Sequence, residues 1–404
     1  MKYVCVISMV TVMTAAGAVN DACTECHKDW PEYAGWEKSS HAAADVTCVD
    51  CHGGDPTAVS MDVVRASAGY VDLTDKRVIP GVCAGCHSDL TAMRQYGLPT
   101  DQMSLYLTSR HGDRLVNFGD VKAASCADCH GAHLVLPAND PASKANRFNI
   151  PATCAGCHSD KDIMAAYYLP ADTFDKYSGS VHGKLLLEER ITGVATCADC
   201  HGNHGAAPPG YAEIRNVCGK CHVNQELYFK MSPHVEVPAG GPAAVSDCAV
   251  CHGYHSIKKP RPQMWLGTDD GQCGDCHAAD SVGYRRASNI VKALNDAKGA
   301  IGDAKTAVKR AAEDGLFTEE LEAELTEAET YITEAYPVAH SLDLSAVTDL
   351  TKESIIIAHR AETRIDQFKH EQGKRRNILI GVLAGLLLLI VLLELKRRRL
   401  FRKL

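Results

Sequence analysis

Large aromatic side chains are scarce in this chain of 404 residues: there are seven Phe and three Trp, and all aromatics together make up 6% of it. A chain this long that filled its interior with side chains alone would draw on more of them, so the low count points to a core built around something else. A basic stripe is also missing. The net charge is −8 and the one dense run of Lys and Arg stands at the extreme C-terminus, which excludes nucleic acid as a partner. With 46% hydrophobic and 23% charged residues, general disorder is excluded as well. What the chain has in excess is Cys and His, nineteen of each.

The first residues read as an export signal. Lys2 supplies the charge, Val4 to Ala18 are apolar or small, and Ala16-Gly17-Ala18 has the form of a cleavage site, so residues 1–18 are expected to leave and the mature chain to begin near Val19. An uncleaved anchor is the alternative, but the stretch is short for a span. Cys5 leaves with the signal.

Each of the remaining eighteen Cys belongs to a C-x-x-C pair followed at once by His. The nine motifs are Cys23-Cys26-His27, Cys48-Cys51-His52, Cys83-Cys86-His87, Cys126-Cys129-His130, Cys154-Cys157-His158, Cys197-Cys200-His201, Cys218-Cys221-His222, Cys248-Cys251-His252 and Cys273-Cys276-His277. Chance would produce about 0.04 such motifs at these Cys and His frequencies, so the pattern is specific. Two thiols three residues apart reach the two vinyl groups of one haem, and the adjacent imidazole ligates the iron. Each motif therefore reads as one covalently held c-type haem with a proximal His, and nine haems are expected. The competing readings fit less well. Zinc ribbons need no His in that place, a disulfide scaffold is not laid out in nine two-residue gaps, and nine thioredoxin-type motifs would need nine βαβ contexts for which there is no room.

Ten other His are candidate sixth ligands: His41, His111, His133, His182, His204, His234, His255, His340, His359 and His370. Seven of them recur in register. Ser39-x-His41, Ser109-x-His111, Ser180-x-His182 and Ser232-x-His234 each precede a haem motif by 7 to 15 residues. Three of those motifs continue as C-x-x-C-H-G-x-H, which places His133, His204 and His255 three residues beyond a proximal His; in the first repeat Asp55 occupies that place. Each repeat closes with a plain motif, at Cys83, Cys154, Cys218 and Cys273, and the motif at Cys23 opens the series. If every iron takes two His, two further ligands are needed. His340 stands ahead of His359, and both stand ahead of His370. A Met ligand is the alternative and would raise that haem's potential.

After the last motif the composition changes. Residues 284–373 lack Cys and are rich in Ala, Glu and Lys. Ile290, Leu294, Ala297, Ile301, Ala304, Val308 and Ala311 keep a helical spacing, as do Leu321, Leu325, Ala328, Ile332 and Ala335, with Gly315 and Pro337 as punctuation and a third helix expected from about Ser345 to Gly373. A helical hairpin or bundle is the expected result, and the acidic stretch from Glu319 to Glu334 reads as its solvated face. Ile378 to Leu393 carries no polar side chain; extended to 395 it gives eighteen residues and about 27 Å of helix, enough for one transmembrane span. Lys374, Arg375 and Arg376 precede it, while Lys396, Arg397, Arg398, Arg399, Arg402 and Lys403 follow it. The heavier flank places the tail 396–404 in the cytoplasm and the body of the protein on the extracytoplasmic, periplasmic side.

The haem-motif grammar resembles the multihaem cytochromes c of the NapC/NirT, tetrahaem and octahaem reductase lineage over residues 23–277. Ser109-Arg110-His111-Gly112, Ser180-Val181-His182-Gly183 and the three C-H-G-x-H runs carry the resemblance. It implies that most irons take two His, that a distal His serves a neighbouring haem rather than its own, and that haems pack in pairs. Two departures stand out: NapC-type quinol oxidation goes with an N-terminal anchor whereas this chain's span is C-terminal, and Ser232-Pro233-His234 lacks the following Gly.

The expected architecture is mainly α and irregular. A nine-haem cytochrome c domain with four internal repeats (19–283) wraps around packed haems; a helical hairpin or bundle (284–373) and one C-terminal transmembrane helix (378–395) follow. The expected function is electron relay between a membrane oxidoreductase and a soluble or extracellular redox acceptor. A nitrite- or hydroxylamine-converting oxidoreductase is the alternative and needs one iron with an open position. A third reading is a subunit that wires haems within a larger respiratory complex.

Overall fold

The computed structural model describes residues 22–209, 214–236, 247–266 and 273–401. The expected signal at 1–18 and the last three residues of the basic tail lie outside them. The described residues are helical or irregular, 65% of them in helix, and no strand occurs among them. Two compact units form, one from the chain up to residue 213 with 252–259, the other from 214–251 with 260–404.

The first unit is built from helices of one or two turns. The middle motif of each repeat there is a five-residue helix: Cys48–His52, Cys126–His130 and Cys197–His201. Its length follows from its two ends. A capping box closes the start, pairing Thr47 with Asp50, Ser125 with Asp128 and Thr196 with Asp199. A glycine closes the end: Gly53, Gly131 and Gly202 have φ of 62°, 85° and 80°, a region open to glycine at little cost. The closing-motif helices Ile79–His87 and Ile150–His158 carry Pro80 and Pro151 in their first turn, where the missing N–H costs nothing.

A single backbone hydrogen bond recurs between neighbouring repeats. The N–H of the residue after the S-x-H serine donates to the carbonyl two residues beyond the next repeat's G-x-H histidine: Ser40 to Val135 (2.8 Å), Arg110 to Ala206 (3.0 Å) and Val181 to Ile257 (2.8 Å). Each repeat is thereby held in one register against the next.

The second unit contains a three-helix bundle: α1 (Val282–Glu313), α2 (Glu319–Val338) and α3 (Leu344–Phe401). All twelve residues of the two predicted stripes are buried, and Ile357, Ala358, Ala361 and Ile365 of α3 close the same core. Ser354 donates to the Ala328 carbonyl at 2.9 Å, and Arg364 reaches Glu320 and Glu324. Where a break was expected near Gly373, α3 continues without interruption through the apolar stretch. Pro337 lies inside the last turn of α2, one residue before its end. α3 is the one helix among the described residues long and apolar enough to cross a membrane, with a mean hydropathy of 3.0 in its apolar window and none of that window buried.

Candidate functional site

Paired imidazoles are the recurring feature of the first unit. His41 faces His87 and His111 faces His158, each with ring centroids 6.2 Å apart. His52 stacks with His133 at 6.1 Å, His130 with His204 at 6.0 Å and His201 with His255 at 5.9 Å. In the second unit His234 faces His277 at 6.2 Å. One rule covers all six pairs: the S-x-H histidine faces the closing motif of its own repeat, and the G-x-H histidine faces the middle motif of the repeat before. The rule also accounts for Asp55. His52 faces His133 of the following repeat and His87 faces His41, so both motif histidines of the first repeat have a facing ring although Asp55 stands where the others have His.

The gap suits an iron. A metal–imidazole bond of about 2 Å on each side, plus about 1 Å from each nitrogen to its ring centre, comes to about 6 Å. Burial, and then the facing ring, lowers the pKa of His41, His52, His111, His130 and His234 below the usual histidine value. The neutral imidazole is the form that ligates a metal.

Local chemistry aims these rings. Ser109 and Ser180 cap the short helices that carry His111 and His182, accepting from the N–H of Gly112 (2.9 Å) and Gly183 (3.0 Å) while donating to the carbonyls of Tyr106 and Tyr177 (2.6 Å each). A Cβ on Gly112 would stand 1.9 Å from the Tyr106 carbonyl oxygen, and one on Gly183 2.0 Å from that of Tyr177, so glycine is the residue the close approach allows. The aromatic residue three before the serine also ties this turn to the coming motif. Tyr106 donates to the Ala124 carbonyl and Tyr177 to that of Ala195, both at 2.8 Å, and Trp36 Nε1 donates to that of Val46 at 2.8 Å; each acceptor lies two residues before a motif's first Cys.

Within each unit, motifs that follow one another in the chain lie side by side. Cys83 hydrogen-bonds with Cys126 and Cys154 with Cys197 in the first unit, as Cys218 does with Cys248 in the second. Cys83 also lies within electrostatic reach of Cys51. Burial, then the neighbouring Cys154, pushes the Cys129 thiol up to about 11; burial, then Cys273 and Cys276, does the same to Cys251. His27 lies within electrostatic reach of His52.

Of the remaining sequence candidates, His182 is half-buried on the helix Val181–Leu187. His340 sits in the turn Ala339–Ser341, its Nδ1 3.1 Å from the Tyr336 carbonyl and 3.2 Å from that of Pro337, its ring edge-on to Trp265. Donation through Nδ1 leaves Nε2 with the lone pair a metal needs. His359 is not brought to any motif: it is exposed on α3 with Nδ1 3.0 Å from Glu362, and His370 is exposed as well.

Sequence reasoning missed the supporting residues. The capping carboxylates Asp50, Asp128 and Asp199 were visible as S/T-C-x-D, and Asp128 and Asp199 also hold Lys76 and Arg147 of the preceding repeat, each at 2.9 Å. The Tyr-x-x-Ser pairs carried a signal too, as an aromatic at constant spacing in a chain with few aromatics.

Comparison with known proteins agrees with the motifs. The cytochrome c3 family profile matches residues 40–159. The chain is 26% identical over 146 residues to the multiheme cytochrome MtrA of Shewanella baltica, covering 35% of this chain and 32% of that protein. It is 27% identical over 128 residues to the cytochrome c-type protein NrfH of Wolinella succinogenes, covering 27% of this chain and 64% of that one. The chain thus spans about a third of the length of the first and under two thirds of the second. No solved structure matches.

Proposed function

We propose that this chain is a multihaem c-type cytochrome that passes electrons, carrying nine haems as one relay and anchored in a membrane by α3. The eighteen motif Cys hold them as thioethers, the nine His that follow are the proximal ligands, and His41, His111, His133, His182, His204, His234, His255 and His340 serve as distal ligands. The observation that carries the reading is the order of contacts: within each unit the motifs that follow one another in sequence lie beside one another, from Cys48 to Cys197 in the first and from Cys218 to Cys273 in the second.

Bound haem supplies a one-electron couple; the protein's residues set its conditions. The half-buried imidazoles that face one another would hold an iron between them, and two His rather than His with Met would keep its potential low. Interlocked repeats fix the spacing, because one repeat's distal His completes the site of another. The basic residues after the span keep the C-terminus in the cytoplasm, which puts the haem motifs on the extracytoplasmic side. A membrane oxidoreductase then feeds the relay, and a soluble or extracellular redox protein drains it.

The test is haem content by pyridine haemochrome on the purified full-length protein, joined to a potentiometric titration. Nine haems per chain with overlapping low potentials are expected. Fewer than nine haems, or potentials so scattered that neighbours cannot exchange electrons, would overturn the proposal.

A further inference from the structure

We propose that the site at Cys23-Cys26-His27 differs from the others in leaving its iron's sixth position open to a small exogenous ligand; this rests on the nine-haem reading above. All nineteen His lie among the described residues. Nine follow a motif, and two of the other ten, His359 and His370, are exposed on α3. Eight second ligands are left for nine irons.

The pairing rule identifies the site that goes without. His41, His111 and His234 face the closing motif of their own repeat, and His133, His204 and His255 face a middle motif, while the motif at Cys23 stands outside the four repeats. The geometry agrees. Among the described residues no second His ring stands at the 6 Å separation from His27; its near neighbour His52 is already stacked with His133. The ring of His27 instead meets Trp30 edge-on at 4.1 Å, and its Nδ1 is buried without a hydrogen-bond partner. Trp30 is 53% exposed, so solvent reaches this end of the protein.

The nearest loop does not supply a substitute through its carboxylate. The N–H of Ala22 donates to the Pro56 carbonyl at 3.0 Å, which seats the loop 53–57 beside the helix Ala22–His27. Asp55 Oδ1, however, accepts from the backbone N–H of Thr57 at 2.9 Å and from its hydroxyl at 2.7 Å, so that carboxylate is turned into its own loop. A small neutral ligand such as carbon monoxide is the probe for such an open position, and Trp30, in contact with the ring of His27, stands beside the residue that would hold the iron.

The experiment uses the full-length holoprotein. Electron paramagnetic resonance of the oxidised form is expected to show one high-spin haem beside eight low-spin ones, and the reduced form to bind one carbon monoxide per chain. The double variant Cys23→Ala/Cys26→Ala should keep eight haems and bind none. Trp30→Ala, which leaves every attachment intact, should change the carbon monoxide recombination rate several-fold. Nine low-spin haems with no carbon monoxide bound would overturn this inference and leave the relay standing, whereas a haem count below nine would overturn the relay itself. Carbon monoxide still bound by the double variant, or an unchanged rate in Trp30→Ala, would take the open site away from His27.

Discussion

The haem-motif region and the helical bundle solve the problem of an interior in opposite ways. Among the described residues between 22 and 259, eight hydrophobic side chains are buried besides Pro80 and Pro151; between 282 and 365 there are twenty-one. Buried polar residues run the other way. The haem-motif region buries Ser39, Ser109, Ser125, Ser180, Thr196 and Asp247, nearly all of them capping a short helix, while the bundle buries mainly Ala, Leu, Ile and Val. The bundle can thus be stabilised by its own hydrocarbon, whereas the repeats spend their buried positions on orienting short helices and leave the apolar filling to the groups those helices hold. The same division explains why a chain with seven Phe and three Trp can fold.

The sharpest way to break this comparison is to withhold haem. In a chain made without haem attachment, residues 22–259 are expected to lose nearly all amide protection in hydrogen exchange while 282–373 keep theirs. Protection retained in the repeats would mean that they hold a core of their own. Second in size is a cavity in the bundle. Leu325 is 2% exposed within the three-helix core, and Leu325→Ala should cost about 3 kcal/mol. Helical ellipticity should melt earlier, with the haem absorption unchanged at temperatures below the melt. A Soret shift in this variant would show that the two kinds of interior are coupled.

Much of this was legible in the sequence because the chemistry is spelled locally. Two thiols and an imidazole must lie within five residues to hold one haem, so all nine motifs could be read directly. The α1 and α2 stripes were legible for the same reason, since helical packing repeats every three or four residues. Which His faces which motif was not. His133 reaches His52 across 81 residues, and that register is set by single backbone bonds such as Ser40 to Val135 and by glycines whose φ is invisible in a string of letters. The expected stop near Gly373 failed for an energetic reason. An internal glycine costs about 1 kcal/mol, too little to end a helix of 58 residues with strong helix formers on both sides. The role of Asp55 was legible only in part: the missing His was plain, but the repeat it would have served was not.

A third, smaller effect separates glycines that matter from those that do not. Gly112→Ala brings a Cβ to 1.9 Å from the Tyr106 carbonyl, which the cap cannot absorb without moving His111 away from His158. A loss of about 2 kcal/mol is expected, with one haem shifted towards high spin. Gly81→Ala is the control: nothing lies within 4 Å of its added carbon inside the helix Ile79–His87, so it should be neutral or gain about 0.5 kcal/mol.

The smallest effect tests whether the buried polar caps do the orienting assigned to them. Asp199 accepts from the N–H and hydroxyl of Thr196, both at 2.7 Å, and from Arg147 at 2.9 Å. The ion pair is partly exposed and contributes little by itself, so the loss in Asp199→Ala should be about 1 kcal/mol, mostly from the cap. Repeat four makes the same helix with the acid moved to the cap position: Asp247 accepts from the N–H groups of Ala249 (2.8 Å) and Val250 (3.1 Å), and no third-position carboxylate follows. If capping is the function, Asp247→Ala and Asp199→Ala should cost about the same despite their different partners, and Arg147→Met should cost clearly less than either. A larger loss in Arg147→Met than in Asp199→Ala would show that the tie between repeats, rather than the cap, is what holds the middle motif in place.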